Sequence, residues 1–150
     1  MSGRIVVGVD GSKDARNALA WALDEARMRG ASVEVVHAWR LPSLVVAGPF
    51  GAAPIVDEDT IDRVQRAAEH LLEEELQAVS TEGVEVEPIA PRASPANALM
   101  DIARGAELLV VGSRGHGGFA GLLLGSVSQQ VSHHAPCPVV IVPRRTTDDR

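Results

Sequence analysis

ELLVVGSRGHGGFAGLLLGSVSQQV, residues Glu107 to Val131, opens on an apolar run, passes through glycines at 112, 115, 117, 118, 121 and 125, and ends in a polar stretch with Val127 and Val131 four apart. The opening run reads as a strand buried on both faces, and the 127/131 spacing as one face of a helix. Strand, glycine-rich loop and helix in succession form the repeating unit of an α/β fold whose ligand sits on the loop.

The rest of the chain repeats the alternation. RIVVGV (Arg4 to Val9), SVEVVHA (Ser32 to Ala38), VEVEPI (Val84 to Ile89) and VVIV (Val139 to Val142) join ELLVV (Glu107 to Val111) as five strand-like runs. Between them lie helical patterns: Ala15, Leu19, Ala22, Leu23 and Ala26; then Ile61, Val64, Ala68, Leu71, Leu72, Leu76 and Val79; then Leu99, Ile102 and Ala103. Strict alternation predicts an α/β fold with an open, doubly wound, parallel five-stranded sheet and four helices, because each parallel pairing needs a crossover. VEVE followed by Pro88 suits an edge strand. The last strand, flanked by Pro136, Pro138 and Pro143, also suits an edge, and its VVIV core can pair with a second copy, so a homodimer through Val139 to Val142 is expected.

No repeat or linker divides the chain, which is expected to be one domain over 1–150, with a core of about 3–143 and a frayed tail at 144–150. The uncharged segment Leu41 to Val56 holds three prolines and reads as a lid or a subunit contact.

At 150 residues and 15.8 kDa, with 45% hydrophobic and 23% charged residues, the composition is globular and excludes a disordered or collagen-like chain. Fourteen Lys and Arg against twenty Asp and Glu give a net charge of −6, which opposes binding to nucleic acid or an anionic membrane surface. Lys13 is the one lysine and no Gly-Lys pair occurs, so a P-loop is excluded. Cys137 is the one cysteine, which precludes an internal disulfide. The apolar run Ile5 to Val9 is too short for a signal-peptide core, and the uncharged stretches are broken by Gly, Pro, Ser, Gln and His. A cytoplasmic protein is expected.

The glycine loop is the candidate site. Glycines reach positive φ and expose bare backbone, so successive N–H groups can converge on an anion. Ser126 reads as the N-cap of the following helix, whose positive end adds to the same site. If the strand order is 3-2-1-4-5, the order reverses between strands 1 and 4, and Asp10 and Gly112 would face each other across the crevice. Asp10 before Gly11-Ser12 can start a turn, or can hold a ribose hydroxyl or a phosphate-borne Mg2+. Arg114 and His116 are either solvated or charge-neutralising. His37 among valines reads as a satisfied core histidine, while the backbone at Ala38 reaches the crevice edge where a base can lie. GHGGFA at Gly115 to Ala120 matches a dinucleotide fingerprint but follows the wrong strand. His133, His134 and Cys137 lack the second cysteine of a zinc pattern.

Gly112, two residues, Gly115, nine residues, then Gly125-Ser126 resembles the signature of the nucleotide-binding branch of the universal stress protein family. The similarity extends to VGVDGS at Val7 to Ser12, VVHA at Val35 to Ala38 and HAPCPVVIVP at His134 to Pro143. Ala15 and Ala93 stand where many members have Ser and Gly. The resemblance implies a Rossmann-like sheet of order 3-2-1-4-5, dimeric through the last strand, and an ATP-binding regulatory module of the stress response with an unidentified protein partner. It further implies that Gly8, Val9 and Asp10 contact adenosine and Ala38 meets adenine. Gly112, Ser113, Arg114 and Gly115 would surround ribose and phosphates, with Gly125, Ser126 and Val127 at the phosphate tail. No catalytic constellation accompanies these residues. Two alternatives stay open: a weak ATPase or phosphotransferase using Mg2+ near Asp10, and an AMP or cyclic AMP binder.

Overall fold

β1 (Arg4–Gly8) holds Ile5, Val6 and Val7 entirely out of solvent, as a strand covered on both faces must. The computed structural model describes residues 3–41, 45–54, 57–114 and 124–144. After β1, Asp10 Oδ1 accepts from the Ser12 N–H at 2.9 Å, and Gly11 takes φ 84°, a left-handed turn that favours glycine. Ser12 then caps α1 (Lys13–Arg29), accepting from the Ala15 N–H at 3.2 Å. The helix stops at Gly30, φ 66°. Its buried stripe is mostly alanine (Ala15, Ala18, Ala22, Ala26), with Leu19 and Leu23 filling between.

β2 (Ser32–Val36) returns beside β1. A hairpin follows, β3 (Val45–Gly48) and β4 (Gly51–Pro54), turning on Pro49 and a wholly exposed Phe50. α2 (Glu58–Gln77) is capped by Asp57 and leads to β5 (Val86–Ile89). α3 (Pro95–Ile102), β6 (Leu108–Gly112), α4 (Ser126–His134) and β7 (Val139–Val142) complete the described chain. The five-stranded sheet runs β5-β2-β1-β6-β7 with every pairing parallel. Numbered along the chain, that is the expected 3-2-1-4-5, with four helices.

The pleat sorts alternate residues onto two cores. Ile5, Val7, Val33, Val35 and Val110 pack under α1 and the apolar face of α2, while Val6, Val36, Leu109 and Val111 pack with Leu99 of α3 and Val131 of α4. Each fully buried Val, Leu or Ile contributes about 1.5–3 kcal/mol of transfer free energy. β5 is an edge strand, as VEVE and Pro88 suggested: the Glu85 and Ile89 carbonyls accept from Val33 and His37, so Pro88, where a donor is missing, faces the open side. β7 forms the other edge.

Three sequence expectations change. Strand-like runs at Val9, His37, Ala38, Val84, Glu85 and Glu107 lie outside the ladder proper. Val9 and His37 donate there single hydrogen bonds to Val36 and Ile89, as the strands diverge at the crevice. Leu41 to Val56, read as a lid or a subunit contact, contains a hairpin that the sequence did not signal; its Val-Val and Ala-Ala runs lack the alternation that marks a half-buried strand, and 42–44 and 55–56 lie outside the described residues. Arg144, assigned to a frayed tail, donates from Nε to Asp14 Oδ1 at 3.3 Å, while 145–150 lie outside the described residues. Among the described residues no helix is long and apolar enough to cross a membrane.

Candidate functional site

The strand order reverses between β1 and β6, so their crossover helices leave on opposite faces and open a crevice beyond the strand ends. A cavity of about 810 Å³ lies there, within the size range of small-molecule sites. Its floor is Gly8, Val9 and Asp10 after β1, with Val36, His37 and Ala38 after β2. Ser94 to Asn97 and Leu99 of α3 form one wall; Gly112, Arg114 and the start of α4 form another.

Close packing bears on two of the cavity's glycines, Gly8 and Gly112. A Cβ on Gly8 would lie 2.9 Å from Leu99 Cδ1, and one on Gly112 would lie 2.8 Å from the carbonyl carbon of Asp14. Neither Gly112 nor Gly125 takes a positive φ: Gly125 has φ −73° and ψ 171°, ordinary extended backbone. The N-cap also moves. Gly125, not Ser126, occupies that position, and Ser126 is the first helical residue.

The donors follow from this geometry. Ser113, 8% exposed, donates its N–H to the Val142 carbonyl at 3.0 Å, and its carbonyl accepts from the Gly125 N–H at 2.7 Å. Both N–H groups are therefore committed to the fold. The N–H groups of Ser126, Val127 and Ser128, in the first turn of α4, have no partner among the described residues and are the donors that can reach an anion. α1 and α2 close their own N-termini with Ser12 and Asp57; α3 and α4 start at the cavity without a side-chain cap. Arg40 and Arg114 bring positive charge to the same cavity.

His37 Nδ1 lies 2.9 Å from the Val9 carbonyl. A carbonyl only accepts, so Nδ1 carries the proton, and the imidazole ties the end of β1 to β2. Asp10 both lines the cavity and supports the turn into α1. Among the described residues no group of three or more His, Cys, Asp and Glu could hold a metal ion. Burial pushes the Cys137 thiol up, which keeps it protonated, and the exposed His133 and His134 rings are 6.2 Å apart and tilted by 55°.

Of the residues singled out in the sequence, Gly8, Val9, Asp10, Ala38, Gly112, Arg114, Gly125, Ser126 and Val127 all line the cavity. Ser113 is a structural linker behind it, and Gly115 and His116 lie outside the described residues. Sequence reasoning missed Arg40, Ser94 to Asn97, Gln129 and Gln130. Ser94-Pro95 was the available signal: a cap residue and Pro at the first helical position mark a helix start, and in this topology helices start at the carboxyl edge.

A model of the universal stress protein family matches residues 1–143. The chain is 32% identical to the universal stress protein YxiE of Bacillus subtilis, covering 95% of this chain and 99% of that one. It is 38% identical to the universal stress protein Rv2005c of Mycobacterium tuberculosis, covering 91% of this chain and 44% of that one. The chain thus spans about half the length of the mycobacterial relatives it matches. A crystal structure of a universal stress protein in complex with cAMP superposes with a TM-score of 0.59 at 27% identity, covering 95% of this chain and 97% of that one.

Proposed function

The chain belongs to the universal stress protein family, and on that premise we propose that its crevice binds an adenine nucleotide, with ATP as the ligand, and that binding serves regulation. The observation that supports this reading is the convergence of the α3 and α4 N-termini, with open N–H groups at Ser126 to Ser128, on a cavity that also holds Arg40 and Arg114. In this reading the α4 N–H groups are the anion donors, and the backbone at Ala38, which lines the same cavity, is the platform for the base. The cAMP complex of the 27% identical neighbour supports the adenine class.

In this reading the α4 first turn binds phosphate oxygens, Arg114 offsets their charge, and Asp10 faces the ribose side of the crevice. Mg2+ enters with the phosphates, because Asp10 alone cannot cage it. The apolar edge of β7 pairs with a second copy to form a homodimer.

Thermal unfolding of nucleotide-stripped protein against ATP, ADP, AMP, cyclic AMP and GTP, with and without Mg2+, tests the reading. A ligand at 100 times its Kd stabilises the native state by about 2.7 kcal/mol. A larger rise in midpoint with ATP than with GTP is expected; a rise with cyclic AMP or AMP alone changes the ligand, and no rise with any nucleotide overturns the reading.

A further inference from the structure

The Ser128 hydroxyl lies 3.1 Å from the Ser113 carbonyl and 2.9 Å from the Gly125 carbonyl, in a residue only 2% exposed. A bond to the carbonyl three residues earlier is a common local habit of serine in a helix. A bond to Ser113, fifteen residues away, is not local. Ser113 and Gly125 flank the 114–124 segment, and their own bond, Gly125 N–H to Ser113 carbonyl at 2.7 Å, draws the end of β6 against the start of α4. Ser128 also lines the cavity, and with one proton to donate its buried hydroxyl shares that proton between the two carbonyls.

We infer that Ser128 is a positioning residue for the proposed anion site: by clasping the carbonyls of Ser113 and Gly125 it fixes the direction in which the Ser126 and Val127 N–H groups face the cavity. The inference rests on the nucleotide reading above. Removing the hydroxyl orphans neither carbonyl, because Ser113 keeps the Gly125 N–H and Gly125 keeps the Gln129 N–H at 3.0 Å. The fold therefore survives without the clasp. What is lost is preorganisation, and the penalty falls on the part of a ligand that those N–H groups hold.

Calorimetric titration of wild type, Ser128→Ala and Ser128→Thr with ATP, ADP and adenosine tests this. In Ser128→Ala, ATP and ADP affinities are expected to fall about fivefold, as for loss of one hydrogen bond, with adenosine affinity unchanged and Ser128→Thr close to wild type. An unchanged ATP-to-adenosine ratio in Ser128→Ala, or an equal loss for all three ligands, overturns the positioning role while leaving the nucleotide reading standing. If the threonine methyl prevents folding at this buried position, the ratio in Ser128→Ala decides alone. A wild-type protein that binds adenosine as tightly as ATP, or binds none of the three, overturns the anion-site reading and this inference with it.

Discussion

Gly112 and Asp14 pack so closely that a Cβ on the glycine would come within 2.8 Å of the aspartate carbonyl carbon and 2.9 Å of its carbonyl oxygen. The backbone cannot yield cheaply there, because Asp14 sits in the first turn of α1 and Gly112 ends a central strand. Gly112→Ala is expected to destabilise the protein by about 1–3 kcal/mol through overpacking. Urea unfolding measures it. A loss of nucleotide binding in this variant would report distorted packing, not a lost ligand contact, so an unaltered urea midpoint contradicts the packing account.

Ser126→Pro separates those effects. Proline is favoured at the first helical position, and Gly125 at φ −73° and ψ 171° already has the backbone that must precede proline. The substitution removes one open N–H and leaves the helix in place. Unfolding stability is expected to stay within about 0.5 kcal/mol of wild type. ATP and ADP binding should weaken with adenosine unaffected, and unimpaired ATP binding would exclude the Ser126 N–H as an anion donor.

Asp14 is 2% exposed, its Oδ1 meets Arg144 Nε at 3.3 Å, and Oδ2 has no hydrogen-bond partner among the described residues. Arg144→Ala leaves that carboxylate buried without its guanidinium. A fully buried pair broken this way costs about 3–5 kcal/mol; with the Arg144 side chain 45% exposed, roughly half that is expected. Asp14→Asn, which removes the charge, should cost less. Equal destabilisation by the two variants would show that the ion pair is not the operative interaction.

Acid sensitivity is expected at the start of α2. The Thr60 side chain, and after it the Thr60 N–H at 2.7 Å from Asp57 Oδ1, hold that carboxyl below its ordinary value of 3.8. A depressed value stabilises the fold above the unfolded value and is lost as pH falls through the folded one. The stability difference between wild type and Asp57→Asn should therefore be constant at neutral pH and shrink below about pH 4. A difference independent of pH between 7 and 3 would count against the charged cap.

Much of this protein was legible because its signals are local. Buried strand segments such as IVVG and LLVVG are unbroken apolar runs, α1 starts at a serine and stops at a glycine, and VEVE with Pro88 declares an edge. The hairpin was not legible, since an uncharged Val, Ala, Gly and Pro segment carries no alternation to show which face is buried. The glycines were read as a ligand cradle, but for Gly8 and Gly112 the immediate cause is Leu99 and Asp14, residues distant in sequence.

The strand order that sets Asp10 and Gly112 across a crevice was implied by the family resemblance; the sequence pattern by itself determined the alternation of strands and helices, and with it a parallel sheet. Period and composition suffice for that, because apolar burial acts on each segment in turn. Tertiary structure alone decided which N–H groups remain available. Ser113 and Gly125 look like ligand donors in a linear reading, yet each gives its N–H to a residue at least twelve positions away, and the open donors fall instead on the first turn of α4. Every buried backbone donor must find an acceptor, and which one it finds depends on where the rest of the chain has been placed.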